Sequence, residues 1–196
     1  MKRIALIALV LATASCSEGP NKNWSFAEQA LIVDPDPVMR VLTIDHRKDS
    51  LVLRTPSREL PAELVAGSEY KELERKLIAT VTSPEQDGVG IAAPQVGILR
   101  RVVAVQRFDK EGEPFEVYPN IRVIRTRGEM VAGGEGCLSV PDRRGEVLRY
   151  QDIDISYTSP YTLKDTVETV LGFTAVIFQH ETDHLDGVLY IDKLAE

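Results

Sequence analysis

The segment FQHETDHLDG, residues 178–187, holds two of the chain's three histidines, His180 and His184, four residues apart. On a helix this spacing puts two imidazoles one turn apart on the same face, about 5–6 Å between Cβ atoms, within reach of a single cation. Glu181 points elsewhere around the helix but can lean over the open position of a metal as a base, as in His-Glu-x-x-His helices. The spacing alone suits a polar helix surface equally well. The residues before it tip the balance, because Phe173, Val176 and Ile177 fall at i, i+3 and i+4 and the same stripe continues to His180 and His184. That pattern predicts buried histidines. A buried imidazole needs a metal or a hydrogen-bond acceptor.

A tetrahedral catalytic site takes three protein ligands and a water, so a third ligand is required. After His184 only Asp186, Asp192 and Glu196 carry ligand-type side chains. Asp186 is too close on the same helix, and the other two belong to a terminal tail. Upstream, His46 and Cys137 stand out. His46 lies in the charged stretch IDHRKDS, which reads as a solvated loop. Cys137 lies in GGEGCLSVP, where glycines allow close backbone approach and an apolar run begins a strand. Cys137 is therefore preferred over His46, although a lone cysteine is more commonly a small buried hydrophobe. A further stretch, GVGIAAPQVG at 88–97, lacks the lysine and hydroxyl of a phosphate loop and the glycine spacing of a dinucleotide site. Its small residues let a ligand come close, and Gln95 is its one polar side chain, a candidate amide donor.

Taken together and in this order, GVGIAAPQ, EGCLS and QHETDHLDG resemble the three signature motifs of the peptide deformylases. The resemblance runs from about Arg40 to the C-terminus. It implies removal of the formyl group from N-formylmethionine at a peptide amino terminus by one divalent metal, Fe2+ first, with Zn2+, Ni2+ or Co2+ as alternatives. By motif position it implies Cys137, His180 and His184 as ligands and Glu181 as general base. Gln95 and the backbone N–H of Leu138 are implied as oxyanion donors, and Gly90 as the glycine whose backbone borders the substrate. Arg144 matches a family position at the mouth of the substrate pocket. Val176 and Ile177, one turn before His180, are expected to line an apolar pocket for the methionine side chain together with Ile91 and Glu135. Asp183 is expected to pair with Arg149. A thiolate ligand donates more charge than a third histidine would, which favours ferrous iron or other softer divalent ions. Three other classes stay in view: a metallopeptidase, a thiol enzyme with Cys137 as nucleophile and a histidine as base, and an inactive binding module of deformylase descent retained in the envelope.

With 196 residues, 43% hydrophobic and 27% charged, the chain is expected to fold as a single domain and to act as a monomer. A net charge of −7 argues against nucleic acid or an anionic membrane surface as a partner. The first residues, MKRIALIALVLATASC, have the three-part pattern of a secretory signal, too short to span a bilayer as a mature helix. Cys16 resembles the lipid-accepting cysteine of bacterial lipoproteins, with Thr13 where that motif usually has leucine. The expected organisation is a signal peptide at 1–16, a tether and irregular arm at 17–39, and a catalytic domain at 40–196. That places the protein in the cell envelope on a lipid anchor. Met39 supplies the alternative, a cytoplasmic product starting there.

Within the domain, SEYKELERKLIATVTS predicts a first helix capped by Ser68. Apolar or alternating runs predict strands at 102–106, 115–118, 121–125, 146–150 and 153–157. The final helix is expected from near Gly172 to near Asp186, with Gly187 as its stop. The fold class is α+β, antiparallel sheets packed around a central C-terminal metal-binding helix.

Overall fold

The structure is a computed structural model that describes residues 23–195. The expected signal segment and Cys16 lie outside the described residues. Five α-helices and six strands follow in the order α1 (Phe26–Val33), α2 (Arg47–Leu53), α3 (Ala62–Val65), α4 (Ser68–Val81), β1 (Gly90–Ala92), β2 (Val102–Gln106), β3 (Phe115–Pro119), β4 (Arg122–Cys137), β5 (Val140–Thr158), β6 (Asp165–Leu171) and α5 (Gly172–Leu185). All pairings within the two three-stranded sheets, β1-β2-β3 and β4-β5-β6, are antiparallel.

β2 is apolar on both faces because both faces are covered. Side chains alternate across a strand, so Val102 and Ala104 join the core formed with α4, and Val103 and Val105 turn toward α5. From α5, Ala175, Ile177, Phe178 and Leu185 pack with Val103 and Val105 of the first sheet and with Ile153, Ile155 and Val170 of the second. The C-terminal helix is thus the layer between the two sheets, in agreement with the expected α+β class. Gly187 adopts φ +73 just past its end, the left-handed conformation that stops a helix.

Several expectations need correction. Residue 68 is the first turn of α4 rather than its cap; Gly67 holds the N-cap position, and the Ser68 hydroxyl bonds Glu69 Oε2 at 3.0 Å instead of a backbone N–H. The arm before residue 39 is not irregular throughout, since it contains α1, closed by a Ser25/Glu28 capping box. The runs at 121–125, 146–150 and 153–157 are parts of one long β4–β5 hairpin turned at Leu138–Ser139. β6 pairs along β5 from Thr158↔Asp165 to Asp152↔Leu171, although no strand was expected there. Among the described residues no helix is long and apolar enough to cross a membrane.

Candidate metal centre

Three chain segments supply the centre. β4 ends in Cys137, which pairs with Val140 across the tight turn, and the register shift at Gly136/Cys137 releases the end of the strand from its regular course. α5 supplies His180 and His184, with ring centroids 5.2 Å apart. Cys137 Sγ lies 3.2 Å from His184 Nε2, and one ligand atom from each of Cys137, His180 and His184 falls within 4.8 Å of the others. Metal–sulfur and metal–nitrogen bonds of about 2.3 and 2.0–2.1 Å in a tetrahedron separate donors by roughly 3.5 Å, so this set needs only a small closure to hold a cation.

The surroundings act on the two imidazoles in opposite directions. Burial opposes a proton on His180, but hydrogen bonding to Cys137 and Glu135 outweighs it and raises the imidazole to about 10. His184 is shifted the other way, well below its ordinary value, by burial and by the charges of His180, Arg149 and Arg54. His180 Nδ1 donates to Glu135 Oε2 at 2.8 Å, which leaves Nε2 as the ligand nitrogen. Glu135 is itself gripped by Arg149, whose Nε and Nη2 donate at 2.7 and 3.0 Å. The third arm of that guanidinium, Nη1, reaches Asp183 Oδ2 at 2.6 Å, the pairing expected from sequence.

Glu181 does not point away from the core. It is 4% exposed, its Oε2 has no partner among the described residues, and Gly90 lies directly against its carboxylate. Burial, partly offset by charge on His180, pushes it up to about 7. Gln95 sits in a 3-10 turn, Ala93–Val96, immediately after β1. Its Oε1 accepts from the Ala92 N–H at 2.8 Å, which turns Nε2 toward Ser139 Oγ at 3.2 Å and Cys137 Sγ at 3.7 Å.

These groups border a cleft of about 880 Å³, whose walls include Val89, Gly90, Gly134, Leu138, Val176 and Ile177. Arg144 stands exposed at its rim beside Gly136. Ile91 is not in the wall. Alternation along β1 turns Gly90 and Ala92 toward α5 and Ile91 into the α4 core, and Val89, just before the strand, borders the cleft where Ile91 was expected. Glu135 borders the cleft, but its carboxylate is committed to Arg149 and His180 rather than to an apolar wall. Phe173 does not extend the buried stripe; it is 55% exposed at the cleft and lies 5.3 Å from the ring of Phe108.

His46 is exposed at the start of α2, and Asp186 and Asp192 pair with Arg101 and Arg54. Glu196 lies outside the described residues. Sequence reasoning missed the Glu135–Arg149 bond and the stacking of Tyr190 on His180, ring centroids 6.1 Å apart. The alternating charges of β4 and β5 were a signal for the first. Nothing local marked Tyr190.

The chain is similar to known proteins in both sequence and structure. The family model described as polypeptide deformylase matches residues 38–196. A peptide deformylase of Symbiobacterium thermophilum is 35% identical over 144 residues, which span 72% of this chain and 65% of that relative, just under two thirds of its length. Peptide deformylase 2 of a Nostoc species is 41% identical over 138 residues, 67% of this chain and 75% of its own. Among solved structures, the actinonin-bound class I type b peptide deformylase from Acinetobacter baumannii has a TM-score of 0.70 and 32% identity over 81% of this chain and 99% of that one. The peptide deformylase from Thermotoga maritima also has a TM-score of 0.70, with 30% identity over the same shares. With its Cys-His-His centre on the β4 turn and the central helix, the chain belongs to the polypeptide deformylase family.

Proposed function

We propose that the protein hydrolyses the formamide at the amino terminus of N-formylmethionyl peptides, releasing formate and a free amine. The observation that carries this reading is the Glu181 carboxylate, buried beside the three-donor set with one oxygen unengaged. Cys137, His180 and His184 would hold a divalent cation, which would supply Lewis acidity to the formyl carbonyl and to the attacking water. Glu181 takes the proton of the attacking water and later gives it to the departing amine, a double role suited to a carboxyl near 7. Gln95 Nε2, aimed at Cys137 by the Ala92 bond, and the Leu138 N–H serve as donors to the developing oxyanion. Gly90 keeps backbone and substrate close to Glu181. Val89, Val176 and Ile177 form the apolar side of the methionine pocket, and Arg144 meets the peptide at the rim.

One thiolate and two imidazoles favour ferrous iron or another borderline ion such as Zn2+, Ni2+ or Co2+ over a hard, oxygen-seeking one. The test is metal analysis of anaerobically purified protein together with formate release from formyl-Met-Ala, free formylmethionine and an internal peptide. Release from the formyl dipeptide alone supports the reading; cleavage of the internal bond, or stoichiometric metal with no formate, overturns it.

The amino terminus points to a place of action. Lys2-Arg3, the apolar run and Cys16 have the pattern of an export signal, and we read the protein as a lipid-anchored envelope enzyme, monomeric, acting on formylated peptides already released from the ribosome. Fractionation with mass analysis of the amino terminus tests this. A diacylglycerol on Cys16 supports it, and soluble protein beginning at Met1 or Met39 refutes it.

A further inference from the structure

α1 is built inside out. Glu28 and Ile32, one turn apart, are its buried residues, and the Glu28 carboxylate forms two bonds to Arg100 at 2.7 and 2.9 Å. Phe26, Ala30 and Val33 fall at i, i+4 and i+7 on the opposite side, and Phe26 and Val33 are 88% and 67% exposed. A surface helix in water ordinarily turns its apolar stripe in and its charges out. Here the helix FAEQALIV has one charged residue, and that residue is inside.

The exposure is not that of a loose arm. The Ser25/Glu28 capping box closes the first turn, the Arg100 guanidinium lies 5.5 Å from the ring centroid of buried Trp24, and Lys76 Nζ donates to Leu31 O at 3.2 Å. Phe26 and Val33 are therefore held outward by a helix fixed from behind. Leu31 is also close enough to Gly97 to touch a Cβ placed there at 3.3 Å, and Gly97 directly follows the turn that carries Gln95.

What covers this face is indicated by what precedes it. Cys16 and Phe26 are ten residues apart, and at full extension that stretch reaches about 35 Å, so an anchor at Cys16 keeps the start of α1 within that distance of the bilayer. The uncharged stripe is followed by exposed Asp34 and Asp36, which disfavour anionic headgroups. We propose that Phe26, Ala30 and Val33 rest in the headgroup boundary of the zwitterionic bilayer to which Cys16 is anchored, and so fix how the catalytic domain faces the membrane. This inference rests on the envelope reading of the amino terminus. Apolar side chains at the interface add a second attachment to that of the lipid.

Trp24, the only tryptophan, is buried behind α1 with Ile32, so a tryptophan placed on the exposed stripe by Phe26→Trp reports on the contact. The full chain is reconstituted by detergent removal into phosphatidylcholine vesicles with or without brominated acyl chains, which quench tryptophan at short range. Emission of the Phe26→Trp chain is expected to fall in the brominated vesicles, and Ala30→Asp with Val33→Asp in that chain to abolish the fall while leaving formate release from a soluble formyl dipeptide unchanged. Mass analysis of the same sample reads Cys16 separately. Modified Cys16 without quenching overturns the inference and leaves the anchor standing, whereas unmodified chain that fails to float with vesicles overturns both. Quenching that survives the double substitution, or a dimer in detergent that the substitutions dissociate, also overturns it.

Discussion

Gly90→Ala tests the site at its tightest packing. A methyl group there would lie 2.5 Å from Glu181 Oε1 and 2.8 Å from Ile177 Cγ2, where ordinary contact begins at 3.4 Å. The backbone at Gly90 is not in the left-handed region, so alanine brings contact without backbone strain. β1 is held to β2 through Gly90↔Val105 and cannot retreat freely, which leaves the carboxylate to move by about 0.9 Å. Overpacking of this kind costs roughly 1–3 kcal/mol of stability, or about 2–4 °C of Tm per kcal/mol in a domain of this size. Displacing a catalytic group by about 1 Å costs on the order of 100-fold in rate.

The expected result is a kcat for formate release about 100-fold lower, with metal content near that of the parent protein because none of the three ligands is touched. Gly134→Ala is the matched control. It adds the same methyl group to the same cleft with nothing within 4 Å, and should leave kcat within about twofold. Steady-state kinetics, metal analysis and thermal unfolding on the three proteins decide the matter. A Gly90→Ala enzyme with normal kcat would show that Glu181 is not the base, or that its position is far more forgiving than the structure implies.

Further expectations concern the groups around the site and the buried ion pairs. Glu181→Gln should keep its metal and lose turnover by about 100-fold or more, as measured by metal analysis beside formate release; retained turnover would remove the base assignment. Cys137→Ser should bind metal much more weakly, whereas a thiol nucleophile would lose activity and keep its metal. Arg149→Met leaves Glu135 buried with only the His180 N–H as partner, and is expected to cost about 3–5 kcal/mol in denaturant unfolding and roughly 10–100-fold in metal affinity by loosening the carboxylate that orients the His180 ring. Burial raises Glu28, but hydrogen bonds and charge from Arg100 outweigh it and hold the carboxyl below 4.5. Its stabilising contribution is therefore complete above the unfolded value and lost as pH falls through the lower folded value. Glu28→Gln should lower Tm at pH 7 and flatten its decline below pH 4.5; parallel Tm curves would count against this.

The features legible in the sequence were those set by local spacing. His180 and His184 are four apart on any helix, and the VVAVQ strand is apolar throughout because it is covered on both faces. What escaped notice depended on register or on distant partners. The glycines of β4 look like breaks, yet Gly128 takes φ +74 at a register shift and the strand continues past it. Only the pairing of β1 with β2 reveals that Ile91 faces α4 and not the cleft. β6 buries Val170 alone, so its composition reads as a solvated edge. For α1 a signal was present in the S-x-x-E of Ser25 and Glu28, the capping box that closes its first turn. The fork of Arg149 could be guessed toward Asp183, whereas its grip on Glu135 required the hairpin to bring together residues on two strands.

That grip bears on how two carboxyl groups come to differ beside one imidazole. Glu135 and Glu181 are 7% and 4% exposed, and both are close to His180. Burial alone would push both up. For Glu135, hydrogen bonds from His180 and Arg149 and the guanidinium charge outweigh burial and hold it down at about 2. Glu181 receives no comparable bond, one of its oxygens has no partner, and burial takes it to about 7. Two carboxyls driven apart in this way are suited to different work. The first stays ionised and fixes the His180 tautomer, and the second exchanges a proton near neutrality. Exchanging their partners would exchange their roles, because neither depth nor residue type distinguishes them. The difference lies in Arg149, which spends two N–H groups on Glu135, a third on Asp183 and none on Glu181.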